Sequence, residues 1–166
     1  MYNKSITIML GPFYITTLIA LAIILAYLLF ERIKFGEQES ISATAYNAKW
    51  NAWLFSITMF LTAGLLWPQM IEMGGEFFGF LAFFICGALC FVGVTPHYKT
   101  TGGEVHYTAA YIMAGASQVW VFMTYWPALF AWIILGLAAL KGRSIAWWSE
   151  IVCIVSLFIS LLQWKI

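Results

Sequence analysis

HYTAAYIMAGASQVWVFMTYWPALFAWIILGLAALKGR, residues 106–143, carries no charged side chain between His106 and Lys141. A helix crossing a membrane needs about 20 mostly apolar residues to cover a hydrocarbon layer of about 30 Å, so this stretch is too long for one ordinary crossing. Read as one long helix it gives the chain five spans. Read as a hairpin broken near Tyr125, Trp126 and Pro127, it gives six. A proline inside a helix removes a backbone donor and clashes with the preceding turn, and it pushes the residue before it towards extended backbone. The hairpin is therefore the expectation.

The rest of the chain fits that setting. A soluble domain carries about a quarter of its residues charged, whereas this one has 9% charged, 63% hydrophobic and 19% aromatic residues. Its mean hydropathy of +0.89 points to lipid as its solvent. The acidic residues are all glutamates, and a net charge of +1 gives no reason to expect a nucleic-acid partner. Cys86, Cys90 and Cys153 sit in apolar runs, which suggests packing residues rather than a disulfide framework or zinc ribbon.

The predicted fold is an all-α, integral-membrane bundle of six transmembrane helices in one polytopic domain covering 1–166. The spans are expected at about 6–30, 52–67, 77–94, 106–125, 127–140 and 145–162. The first runs from about Ile6, its helix settling after Gly11-Pro12, and its length and lack of a small-residue cleavage site set it apart from a simple signal peptide. The second is expected to stop before Pro68. Between the first two lies the longest polar connection, ERIKFGEQESISATAYNAKWN, with room for a short interfacial helix.

Lys and Arg near span ends set orientation. With six spans, Arg32, Lys34, Lys49, Lys99, Lys141 and Arg143 share one side, and only Lys4 and Lys165 lie on the other. That places the basic connections in the cytoplasm and both termini outside. A single long helix through 106–140 would destroy the asymmetry, so charge also favours the hairpin. Trp147, Trp148 and Trp164 bracket the last span about 25 Å apart, as interfacial anchors do.

In lipid, helix faces that meet are marked by small and weakly polar residues. Gly79, Ala82, Cys86, Cys90 and Gly93 form such a stripe in the third span, and His106, Ala110, Ala114 and Gln118 form one in the fourth. Ser149, Cys153, Ser156, Ser160 and Gln163 form another in the sixth, with Leu157 expected to face lipid. These stripes read either as close packing or as the walls of a polar, lipid-headgroup pocket. Glu150, just inside the tryptophan belt, is costly there unless it snorkels, pairs or is protonated.

Candidate chemistry is sparse. A catalytic zinc takes three protein ligands, and His97 and His106 with distant glutamates do not supply them by spacing; two histidines this close do not suggest haem ligation. No metal or cofactor is expected, and no phosphate-cradling glycine loop or nucleophile elbow is present. His106, with Glu104 two residues before it, either opens a helix at the interface or serves as proton acceptor, pH switch or phosphate contact. His97 is expected to be a solvated, replaceable loop residue.

Two stretches, ESISATAYNAKWNAWLF and FVGVTPHYKTTGGEVHYTAAY, resemble a group of uncharacterised bacterial six-span membrane proteins, remotely similar in layout to the DRAM/Frag-type proteins. The matching positions are Ser40, Ile41, Ser42, Ala43, Tyr46, Pro96 and His106, with Thr44 standing where the group has an aromatic. The resemblance covers less than half of the chain. It implies six spans in a bacterial inner membrane and brings no reaction with it.

Both stretches fall on the cytoplasmic edge in the charge-derived topology. The leading expectation is a cytoplasm-facing polar pocket near Ser42, Glu104 and His106, binding lipid or a partner membrane subunit, with Ser42, Lys99, His106 and Gln118 as ligand-binding residues; a homo-oligomer is a further expectation. The rival is a membrane-embedded, lipid-modifying enzyme with His106 as general base, assisted by Glu104 or Glu150. A small channel or transporter is the third reading, though no internal repeat is visible.

Overall fold

The computed structural model describes residues 13–98 and 102–163. The expectations for Lys4, Gly11-Pro12, Lys99, Trp164 and Lys165 lie outside the described residues. Within them the chain is all-helical: α1 (Tyr14–Phe35), α2 (Asn51–Phe78), α3 (Phe80–Val94), α4 (Gly102–Tyr125), α5 (Trp132–Leu140) and α6 (Ile145–Leu162), with short 3-10 turns between several of them. Among the described residues five stretches are long and apolar enough to cross a membrane, and one of these, Gly103–Leu140, takes in nearly all of α4, a 3-10 segment and α5.

That stretch is not a straight helix. Tyr125 leaves helical geometry at φ −155° and ψ 73°, and Trp126–Ala131 forms a 3-10 segment with Pro127 in its first turn. Proline suits that position because the first helical residues have no intrahelical partner for an N–H. The chain then turns back, so that the Trp132 indole N–H reaches Gln118 Oε1 at 2.8 Å.

The second helix departs from expectation: α2 runs through Pro68 and ends at Phe78. Losing one backbone bond, to the Gly64 carbonyl, does not break a helix held on both sides of the proline by Leu66 and Met70, which are 2% and 0% exposed. The break falls instead at Gly75, whose φ of +55° only glycine adopts without strain. A Cβ on the adjacent Gly74 would stand 2.6 Å from Gly79 N and 2.7 Å from Trp120 Cζ3, so the α2–α3 turn requires a residue without a side chain there.

α1 packs on α2, α2 on α3, α3 on α4 and α4 on α6, and α6 returns to α1 to close a ring; α5 lies mainly against α6. The inward face of α1 is Thr17, Ala20, Ile24, Tyr27 and Glu31, a strict three-and-four spacing. Ile15, Leu18, Leu25, Phe83, Phe91, Ile133 and Leu137 point outward and stay exposed, giving an exterior suited to lipid.

The small-residue stripes face inward where they were expected to. Ala82 and Cys86 are fully buried, and a Cβ on Gly93 would meet Met59 Cβ at 2.9 Å. Cys153, Ser156 and Ser160 are buried as well. Two expectations about α6 are corrected. Leu157 is 7% exposed and faces the interior, and Trp147 is 3% exposed rather than an interfacial anchor. The 36–47 connection docks on the first turns of α6, which brings this end of the helix inside the protein.

Candidate functional site

Within the ring lies a partly open cavity of 350 Å³, in the range of about 300–1,000 Å³ typical of small-molecule sites. Its walls are apolar, with Ile24 from α1, Phe55 and Leu66 from α2, Ile85 and Leu89 from α3, and Phe158 from α6. Its polar lining includes Ser40, Ser42, His106, Ser149 and Glu150. Thr62 adds a hydroxyl on the wall that is buried and has no hydrogen-bond partner among the described residues.

Ser40–Ser42 reach this cavity because their connection is fastened to α6. The Ile41 N–H donates to Glu150 Oε2 at 2.5 Å, and the Ser42 N–H also donates to the Glu150 carboxylate. Ser40 Oγ accepts from the Ala43 N–H at 3.1 Å, starting the 3-10 turn Ser42–Tyr46, and lies 3.0 Å from Ser42 Oγ. Glu150 is thus neither snorkelling nor ion-paired among the described residues. It is capped by backbone donors, which satisfy a carboxylate in a water-poor setting.

A second fastening lies at the rim. Glu37 Oε2 accepts from Arg143 Nη1 at 2.7 Å and stands 3.2 Å from Arg32 Nη1, and the Ser144 hydroxyl donates to the Glu39 carbonyl at 2.6 Å. Burial pushes the Glu37 carboxyl up, but the Ser144 N–H and the Arg143 and Arg32 guanidiniums outweigh it and hold it below the usual carboxylate range. These bonds bring the end of α1 and the α5–α6 connection to one end of the bundle.

His106 is positioned by its Nδ1, 2.9 Å from Thr95 Oγ1. The Thr95 hydroxyl also lies 2.8 Å from the Val92 carbonyl, and when its one hydrogen goes there the ring supplies the proton of the shared bond. That assignment makes the neutral imidazole an Nδ1–H tautomer with the Nε2 lone pair free. Its stripe, Ala110 and Ala114, also lines the cavity, which is why these residues are half-buried rather than packed.

Glu104 does not join them. Two residues are about 200° of helix rotation, and Glu104 lies instead on an outward groove of 510 Å³ with Phe83, Phe84 and Ile112. The structure therefore brings Ser42, His106 and Glu150 to one cavity and leaves Glu104 outside it. Gln118 has a different occupation. Its amide bonds to Ser117, Ser156 and Trp132, tying α4, α6 and α5 together.

His97 is exposed but anchored, with Nε2 3.0 Å from Ser56 Oγ and its ring 4.5 Å from that of Trp53. It is thus solvated as expected, in the 3-10 turn Thr95–His97, and touches α2 as well. Sequence reasoning passed over Glu31, which is fully buried and accepts from the amides of Asn47 at 3.1 Å and Asn51 at 3.0 Å. The signal was there, since Glu31 continues the inward spacing of α1. Among the described residues no three His, Cys, Asp or Glu side chains gather as metal ligands. No protein-family model, curated protein or solved structure matches this chain.

Proposed function

We propose that the chain is a six-span integral membrane protein, resident in a bacterial inner membrane with both termini extracytoplasmic, that binds an amphiphile in its central cavity. The observation that carries this reading is the cavity itself: apolar walls from four helices, with a histidine, a carboxylate and serine hydroxyls among its lining. An acyl chain suits the walls, and a polar head suits the serine, histidine and glutamate side. The volume favours one chain over the two of a phospholipid.

The six-span topology draws support from the bridge of Arg32, Glu37 and Arg143, which joins connections that the charge count assigns to one side. It draws further support from the reversal that brings Trp132 to Gln118. The test is lipid mass spectrometry on protein purified in mild detergent. A stoichiometric amphiphile is expected in the wild type and should be excluded by Ala110→Trp, which fills the cavity. A protein that carries nothing, or carries as much with the tryptophan in place, sinks the reading.

One observation favours a second reading, a lipid-modifying enzyme. With the Thr95 hydrogen on the Val92 carbonyl, His106 carries its proton on Nδ1, and a ring that lines the cavity then offers an Nε2 lone pair, which suits a general base. An amphiphile recovered chemically altered from the wild type but intact from His106→Gln would select this reading over simple binding.

A further inference from the structure

We infer that the head group the cavity takes is a protonated amine on a single chain, an ammonium rather than a phosphate or an uncharged hydroxyl. The inference deepens the amphiphile-binding reading and rests on it. Its basis is the set of polar groups that line the cavity and what each can still do.

Glu150 presents a carboxylate whose protein partners are backbone N–H groups, from Ile41 and Ser42. Among the described residues no basic side chain forms an ion pair with it, and Arg32 and Arg143 are committed to Glu37. A carboxylate has about four acceptor sites, so two backbone donors leave capacity for a further donor in a site walled by apolar side chains. In the Nδ1–H tautomer His106 adds the Nε2 lone pair. Ser42 Oγ, beside the Glu150 cap, is a further acceptor. An ammonium has three donors and no acceptor, which matches a carboxylate, an imidazole nitrogen and a hydroxyl oxygen. A phosphate would bring a negative charge towards Glu150 and find no cation among the described lining residues. A neutral alcohol has one donor hydrogen and cannot serve all three acceptors.

The experiment uses the full chain in phosphatidylcholine nanodiscs and three probes with one tail and different heads: dodecylamine, dodecanol and dodecyl phosphate. Binding is read by the shift in thermal unfolding and by titration calorimetry. Dodecylamine is expected to bind the wild type about tenfold or more tighter than the other two, the usual scale of a charge-assisted hydrogen bond. Glu150→Gln should remove that preference while leaving dodecanol within a few-fold of its wild-type affinity. Because the ranking is measured first on the wild type, it does not depend on the variant folding. Equal affinity for amine and alcohol overturns the inference, as does phosphate binding best, and in particular phosphate binding that Lys99→Ala abolishes. In those cases the amphiphile-binding reading survives. If none of the three probes binds, that reading fails too.

Discussion

Trp132 donates its indole N–H to Gln118 Oε1 at 2.8 Å, although fourteen residues separate them. In a continuous α-helix they would lie about 21 Å apart. The bond therefore records the chain reversal, and it acts on it: Gln118 also holds Ser156 of α6 at 3.2 Å, so one amide joins the two arms of the hairpin to the last helix. Gln118→Leu leaves the buried partners without it and is expected to cost about 1–3 kcal/mol of stability in detergent. Trp132→Phe removes only one donor and should cost less. Thermal unfolding of both variants reads the difference, and equal, negligible effects would show that the tie is unimportant.

The proposed six-span topology has its own test. Single cysteines introduced at Lys34 and Lys141 are expected to react with a membrane-impermeant maleimide from the same side, and one introduced at Lys4 from the opposite side. Labelling of Lys34 and Lys141 positions from opposite faces would restore the single long span.

The turn between α2 and α3 offers a sharper test of packing. Gly74→Ala forces a methyl against Gly79 N and Trp120, each under 3 Å from the added atom, and should cost about 1–3 kcal/mol. Gly64→Ala meets nothing within 4 Å and gains helix propensity of up to about 1 kcal/mol. Denaturation that ranks Gly64→Ala below Gly74→Ala would contradict the close approach.

Leu157 and Ile159 lie two positions apart and face opposite ways, at 7% and 43% exposed. Leu157→Ala should cost about 2 kcal/mol or more through lost packing. Ile159→Ala, on the outer surface, should fall within about 0.5 kcal/mol. Chemical or thermal unfolding in the same detergent compares them directly.

Glu37 gives the rim a pH dependence of known sign. Its folded carboxyl titrates below its ordinary 4.5, so its bonds to Arg143 and Ser144 contribute fully above that value and are lost as pH falls through the folded one. Stability should therefore decline on acidification in that window, and Glu37→Gln should flatten that part of the profile. An unchanged slope in the variant would assign the acid sensitivity elsewhere.

Much of this architecture was legible in the residues alone. Apolar length located the helices, since a backbone without water must satisfy itself by helix formation, and Pro127 with the positions of Lys141 and Arg143 pointed to the hairpin. Alanine, serine, cysteine and glycine spacing marked the inward faces of α3 and α6, because close approach needs small side chains. What the residues could not decide was the sidedness of large apolar and isolated polar groups. In water an apolar side chain declares the interior, but in lipid both faces of a helix are apolar, so Leu157 and Trp147 carried no sign of where they point. Nor does local spacing say which partner a polar atom finds. Glu104 and His106 are neighbours in the chain and lie on opposite sides of a helix, while Glu150 meets the Ile41 N–H across 109 residues. That pairing exists only when α6 closes the ring against α1, and it is the closing of the ring that makes a cavity with Ser42, His106 and Glu150 in its wall.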